Sequence, residues 1–270
     1  MSEKALSPRE ICEAFLNEEI RSNEEKEILP SEVKVARRLL TRGAEMTEVY
    51  EEVMAHLSDD GVGWKVFLGC LLSTGAFWSS EKIANYRAGR ARLIETNQAI
   101  AQQALALSEL LEHREDLHNY SAFGSETLYD IVTLIDRASA QNGRYESYVK
   151  TPLAELSARY DMKYWPTLAE CLRVLGEDAN NAEVRATDPM TEAATRSPRA
   201  SKADTIRALR ESIDENRGSW WGSIPKNFRL PDNAMAQIAN VLLELAPEDM
   251  IDANYIKSLR HRDKTYSGSN

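Results

Sequence analysis

Two of the chain's four histidines, His113 and His118, fall within LLEHREDLHNY at 110–120, among Glu112, Arg114, Glu115 and Asp116. Imidazoles among carboxylates are the raw material of metal binding or of acid–base catalysis, and spacing decides between them and a solvated surface. Five residues apart on a helix, the two rings point about 140° away from each other, so one ion cannot take both. Glu115 and His118 make a Glu-x-x-His step, half of the ligand set of carboxylate-bridged di-iron bundles. The other half is missing, because neither His56 nor His261 has a glutamate three residues before it. Zinc needs three or four closely spaced Cys, His or carboxylate ligands. Cys12, Cys70 and Cys171 are dispersed and form no CxxC. No metal and no cofactor is expected, and the cluster reads as the wet C-terminal end of a helix, where titrating side chains sit near exposed carbonyls.

Other catalytic signatures are absent: Walker A, GxGxxG, GxSxG and HExxH do not occur. The acid pairs Glu51–Glu52, Asp59–Asp60 and Glu177–Asp178 read as helix ends and turns. No catalytic residue is assigned, and an enzyme with an unmarked polar pocket stands as a third functional reading.

Binding signals are stronger. RGSWWGSIPKNFRLPD, 217–232, sets adjacent tryptophans between glycines and prolines. Adjacent side chains in an irregular loop rarely both face inward, and Trp and Arg are enriched at interface hot spots. Trp220, Trp221, Phe228 and Arg229 are therefore the expected partner contacts; the competing reading has the tryptophans stapling the last helices to the rest. Toward the C-terminus, Lys257, Arg260 and Lys264 share a helix face, either as a phosphate-facing stripe or as cations matched to the helix dipole.

These residues need elements to hold them, and nearly every segment reads as helix. Ser7-Pro8-Arg9-Glu10 is a capping box, and Ser201 with Asp204 is another. WKVFLGCLLSTGAFW, 64–78, is too short to span a bilayer and reads as a buried core helix. From about residue 80 to 118 nothing stops a helix for nearly forty residues, roughly 55 Å. Its stripe Ile83, Tyr86, Arg90, Leu93, Asn97, Ile100, Ala104, Leu107, Leu111 steps by threes and fours like a heptad seam, with Arg90, Leu93 and Asn97 as candidate contacts. That seam faces the chain's own helices or, in the sharper reading, a second copy.

Residues 185–204 are rich in Ser, Thr and Pro. The expected organisation is a main helical domain over 1–185, a linker or ordered loop over 186–200, and a smaller helical portion over 201–270 packed on the first. The fold class is all-α, an irregular multi-helix bundle around one long central helix.

The net charge of −10 is uneven. Residues 1–60 carry eight cations and fifteen acids, whereas 196–270 carry twelve and ten. An acidic front disfavours nucleic-acid binding by the whole chain but leaves a local C-terminal footprint open. MSEKALSPREICEAF has no apolar run, so no secretory leader is expected, and the dispersed cysteines read as reduced thiols. The leading reading is a cytoplasmic, non-catalytic protein-binding regulator, in one variant an inhibitor, with no membrane association. A nucleic-acid-associated protein using the C-terminal cations is second.

Overall fold

In a computed structural model the protein is all-α, and the structure describes residues 6–57, 61–128, 130–218 and 224–267. Among them are thirteen α-helices and no named strand. They fall into two compact units, one comprising the chain up to Gly89 with that from Arg185 onward, the other Arg90 to Val184.

The first unit holds α1 (Pro8–Glu25), α2 (Pro30–Thr41), α3 (Thr47–Leu57), α4 (Gly63–Phe77), the start of α5 (Ser80–Tyr120), α10 (Pro189–Thr195), α11 (Lys202–Glu215), α12 (Asp232–Leu242) and α13 (Ala253–Ser267). The apolar run becomes α4, which buries Phe67, Leu68, Leu71 and Leu72 and packs against α2, α3 and α11. Gly75 lets α2 come close: a Cβ there would lie 2.9 Å from both Val35 methyls. The first capping box forms, with the Ser7 N–H donating to Glu10 Oε2 at 2.7 Å and the Glu10 N–H to Ser7 Oγ at 3.3 Å.

Polar groups register the last three helices. Asp204 receives the Ser201 N–H at 2.8 Å, and although 2% exposed it pairs with Arg87 at 2.9 Å. Arg38 and Arg42, near the end of α2, donate to the carbonyls of Leu242 and Asn240 and so satisfy the end of α12. Buried Asn240 exchanges two bonds with the Ile251 backbone, at 3.0 and 2.9 Å, which fixes α13 against α12.

One segment differs from expectation. The proline- and Ser/Thr-rich stretch expected as a loop over 186–200 contains α10, because Asp188 caps it, Pro189 is tolerated in its first turn, and Ala193 and Ala194 are small enough to bury against α11. Before the last helix, Pro247–Asp249 forms a separate 3₁₀ turn, and Asp252 accepts the Tyr255 N–H at the helix start. The helix that follows α5 begins at Ile131, with Asp130 as its cap.

The second unit holds the rest of α5, then α6 (Ile131–Ala138), α7 (Gly143–Tyr148), α8 (Lys150–Arg159) and α9 (Leu168–Asn181). A break at Val149 separates α7 from α8, with Pro152 in the first turn of α8. The covered stripe of α5 here is Ala101, Ala104 and Ser108, not the large residues of the expected seam. Ser108 Oγ donates to the Ala169 carbonyl at 2.9 Å, and a Cβ on Gly176 would lie 3.2 Å from the Ala101 carbonyl oxygen. α9 therefore runs antiparallel along α5 through small residues, which permits close backbone approach. Leu93, Ile100 and Leu107 stay exposed on the flank of that contact, Arg90 is exposed, and Asn97 is half-buried.

Candidate functional site

In the first unit, one face each of α11, α12 and α13, together with residues 229–230, encloses a cleft of about 570 Å³. Arg210, Ile213, Asp214 and Arg217 face it from α11, at the spacing of one helix face. Ile256, Arg260, His261 and Lys264 do the same from α13. Asp232 and Met235 enter from α12, Arg229 and Leu230 from the segment before it. The floor is apolar, made by Ile213, Leu230, Met235 and Ile256. Around it stand five permanent cations and two carboxylates, a local surplus of three positive charges in a chain of net charge −10. A second cleft, of about 420 Å³, shares Arg210, Asp214, Arg260 and Lys264 with the first and adds Arg196, Arg207, Glu211 and Asp263.

The cations are unequally neutralised. Arg260 is fastened to Asp232 by two bonds of 2.9 Å, and Arg217 pairs with Asp214. Arg207 is held by Asp263 at 3.0 Å and Asp204 at 3.4 Å. Arg210 donates to the Ile256 carbonyl at 3.4 Å and reaches its nearest carboxylate, Asp263, at 3.6 Å. Burial pulls the Arg210 guanidinium below the usual arginine range, and the Arg260 and Arg207 charges push the same way against Asp263 and Asp232. Arg229 and Lys264 are exposed and have no acidic partner within ion-pair distance among the described residues. An anion at this cleft would meet two unpaired cations at its rim and an under-compensated guanidinium within.

The expected contacts separate on this geometry. Arg229, Arg260 and Lys264, read from two distant segments, come together in the cleft, whereas Lys257 is exposed and is not part of its lining. Phe228, expected at a partner surface, is a core residue: it is 5% exposed, packed edge-on to Phe67 at 6.0 Å, because the loop turns its ring inward beside α4. Trp220 and Trp221 lie outside the described residues. Arg217 is legible as a polar anchor beside the tryptophan loop, and the i, i+3, i+4, i+7 spacing on α11 adds Arg210 and Ile213, whereas Leu230, Met235 and Ile256 join the floor only through the fold.

The cluster at 110–120 meets a smaller pocket of about 290 Å³ in the second unit, lined by Arg114, Glu115, His118, Asp130 and Trp165 among others. His113 is exposed and does not line it. His118 Nε2 lies 2.7 Å from Ser125 Oγ and also accepts the Ser125 backbone N–H at 3.3 Å. That nitrogen closes a local turn with Ser125. No group of three His, Cys, Asp or Glu side chains is placed to hold a metal among the described residues, and no helix among them is long and apolar enough to cross a membrane. Cys12, Cys70 and Cys171 are free thiols, the first two buried.

No protein-family model, no curated protein and no solved structure matches the chain.

Proposed function

We propose that the protein is a non-catalytic binding protein and that its α11–α13 cleft takes an acidic, partly apolar segment of a partner protein. The observation that carries this reading is the ring of cations around a floor of four apolar side chains. Cations with an apolar floor favour a polypeptide bearing both carboxylates and aliphatic groups. Nucleic acid fits less well. The His261 imidazole is the one aromatic ring in the cleft lining among the described residues, so bases have little to stack on, and the remaining acidic surface repels a long polyanion. A regulatory role in the reducing interior of a cell accords with three unpaired cysteines.

The test is fluorescence anisotropy with a labelled peptide of alternating glutamate and leucine, set against a labelled oligothymidine. The peptide is expected to bind and to lose at least about tenfold in affinity in the Arg229→Glu/Lys264→Glu variant. Oligothymidine bound more tightly than the peptide, and lost in the same variant, would replace this reading with the nucleic-acid one. Peptide binding unchanged in the variant would remove the cleft from the function.

A further inference from the structure

We infer that the cleft's occupant is the acidic turn between α1 and α2 of a second copy of this chain, so that copies join turn to cleft. This rests on the cleft being the binding site, as argued above, and adds what fills it.

The turn runs from Glu24 to Leu29, and every one of its residues is exposed. It carries three glutamates and one lysine, with Glu24 paired to Arg37 at 2.5 Å and Glu25 and Glu27 turned to solvent, and it ends in two large aliphatic side chains, Ile28 at 46% and Leu29 at 40% exposure. Ile28 and Leu29 therefore add little to the chain's own core. Their backbone is also held in an uncommon shape. Glu27 has φ 55° and Leu29 φ 49°, both in the left-handed region that side chains with a Cβ seldom adopt. Leu29 also precedes Pro30, whose ring disfavours a helical conformation at the residue before it.

Both ends of the turn are pinned. The Ile28 N–H donates to the Asn23 carbonyl at 2.9 Å, and Asn23 is itself buried. The Leu29 carbonyl accepts the N–H groups of Glu32 at 2.9 Å and Val33 at 3.2 Å. Strained backbone persists where its surroundings over-determine it, and a projecting segment fixed in advance loses little freedom when it docks.

Turn and cleft are complementary in both chemistries. Three carboxylates, offset in part by Lys26 and with Glu24 shared with Arg37, give the turn a net negative charge opposite a surplus of three positive charges, and two branched aliphatic side chains face a floor of Ile213, Leu230, Met235 and Ile256. No residue of the turn lines the cleft, so the two are separate surfaces of one unit. Each copy thus offers one turn and one cleft, and repeated contacts make a ring, a chain or a reciprocal pair. Because the whole chain is acidic, copies repel at long range, and only this local match draws them together.

Sedimentation velocity on the full chain, from about 5 to 200 µM, tests this. The wild type is expected to associate with rising concentration, and less so at high salt. Glu25→Lys/Glu27→Lys and Arg229→Glu/Lys264→Glu change only exposed side chains, and circular dichroism checks that each stays helical. Each variant alone is expected to remain monomeric. An equal mixture is expected to associate, because the intact cleft of one variant meets the intact turn of the other and the reversed turn meets the reversed cleft. A chain carrying all four reversals should regain association. A wild type that stays monomeric throughout, association that survives both variants, or a mixture that does not associate overturns the inference. If the wild type stays monomeric yet binds the glutamate–leucine peptide through the cleft, this inference fails while the functional reading stands. If it does neither, both fail.

Discussion

Asp204→Asn removes one charge while keeping the side chain's shape, and its cost tests how the first unit is held together. Asp204 is 2% exposed and lies 2.9 Å from Arg87 and 3.4 Å from Arg207. Ser201 remains the N-cap, and an amide oxygen at position 204 can still accept the Ser201 N–H, so the start of α11 is retained and the loss is mainly the ion pair. Removing one partner of a buried pair costs roughly 3–5 kcal/mol, because the other charge stays buried without compensation. Arg87 keeps bonds to the Ala194 and Ser197 carbonyls at 3.0 and 3.1 Å, and Arg207 keeps Asp263. The lower end of that range, about 3 kcal/mol, is therefore expected. With a urea slope of about 1–3 kcal/mol/M, the unfolding midpoint falls by at least about 1 M, read by tryptophan fluorescence and circular dichroism. Arg87→Met should cost less in the Asp204→Asn background than alone, with a coupling on the order of 2 kcal/mol. A loss below about 1 kcal/mol, or strict additivity of the two substitutions, would refute the claim that this pair is desolvated and structural.

Two other expectations concern the same unit. Gly75→Ala places a Cβ 2.9 Å from both Val35 methyls, so thermal unfolding should show a loss of about 1–3 kcal/mol, part of which Val35→Ala restores. Burial, with a smaller push from Glu13, holds the Cys12 thiol protonated up to about 12. The unfolded chain releases that proton near pH 8.5, so Cys12 lowers stability as pH rises above the unfolded value and toward the folded one. Urea titrations over about one unit around pH 10 should show the wild type losing about 1.4 kcal/mol more than Cys12→Ala; equal slopes would place the thiol in contact with water.

Much of the architecture is legible in the sequence because it is local. The capping boxes at Ser7 and Ser201, the apolar run of α4 and the uninterrupted α5 are written in consecutive residues. The seam of α5 is not, because periodicity weights large apolar side chains while close helix approach selects small ones. The pattern runs through Leu93, Ile100 and Leu107, but α9 meets α5 at Ala101, Ala104 and Ser108, where Gly176 adds no side chain of its own. α10 was hidden for a related reason: a helix that buries only Ala193 and Ala194 leaves no stripe of large residues to detect.

The cleft marks the boundary between what local pattern carries and what only folding supplies. Its cationic faces on α11 and α13 are each readable by spacing, yet each alone is indistinguishable from a solvated helix surface. They become a site because Asn240 pins Ile251 and so sets α13 beside α12, while Arg38 and Arg42 secure the end of α12 from another helix. None of those four residues touches the cleft. Bringing Arg207, Arg210 and Arg260 near one another then costs electrostatic energy, which Asp263 and Asp232 offset in part. A fold that needed only packing would satisfy these guanidiniums or leave them in water. Here Arg210 is partly desolvated, donates to the Ile256 carbonyl at 3.4 Å and has its nearest carboxylate at 3.6 Å, and under the proposed function it is this incomplete pairing that an acidic ligand would complete.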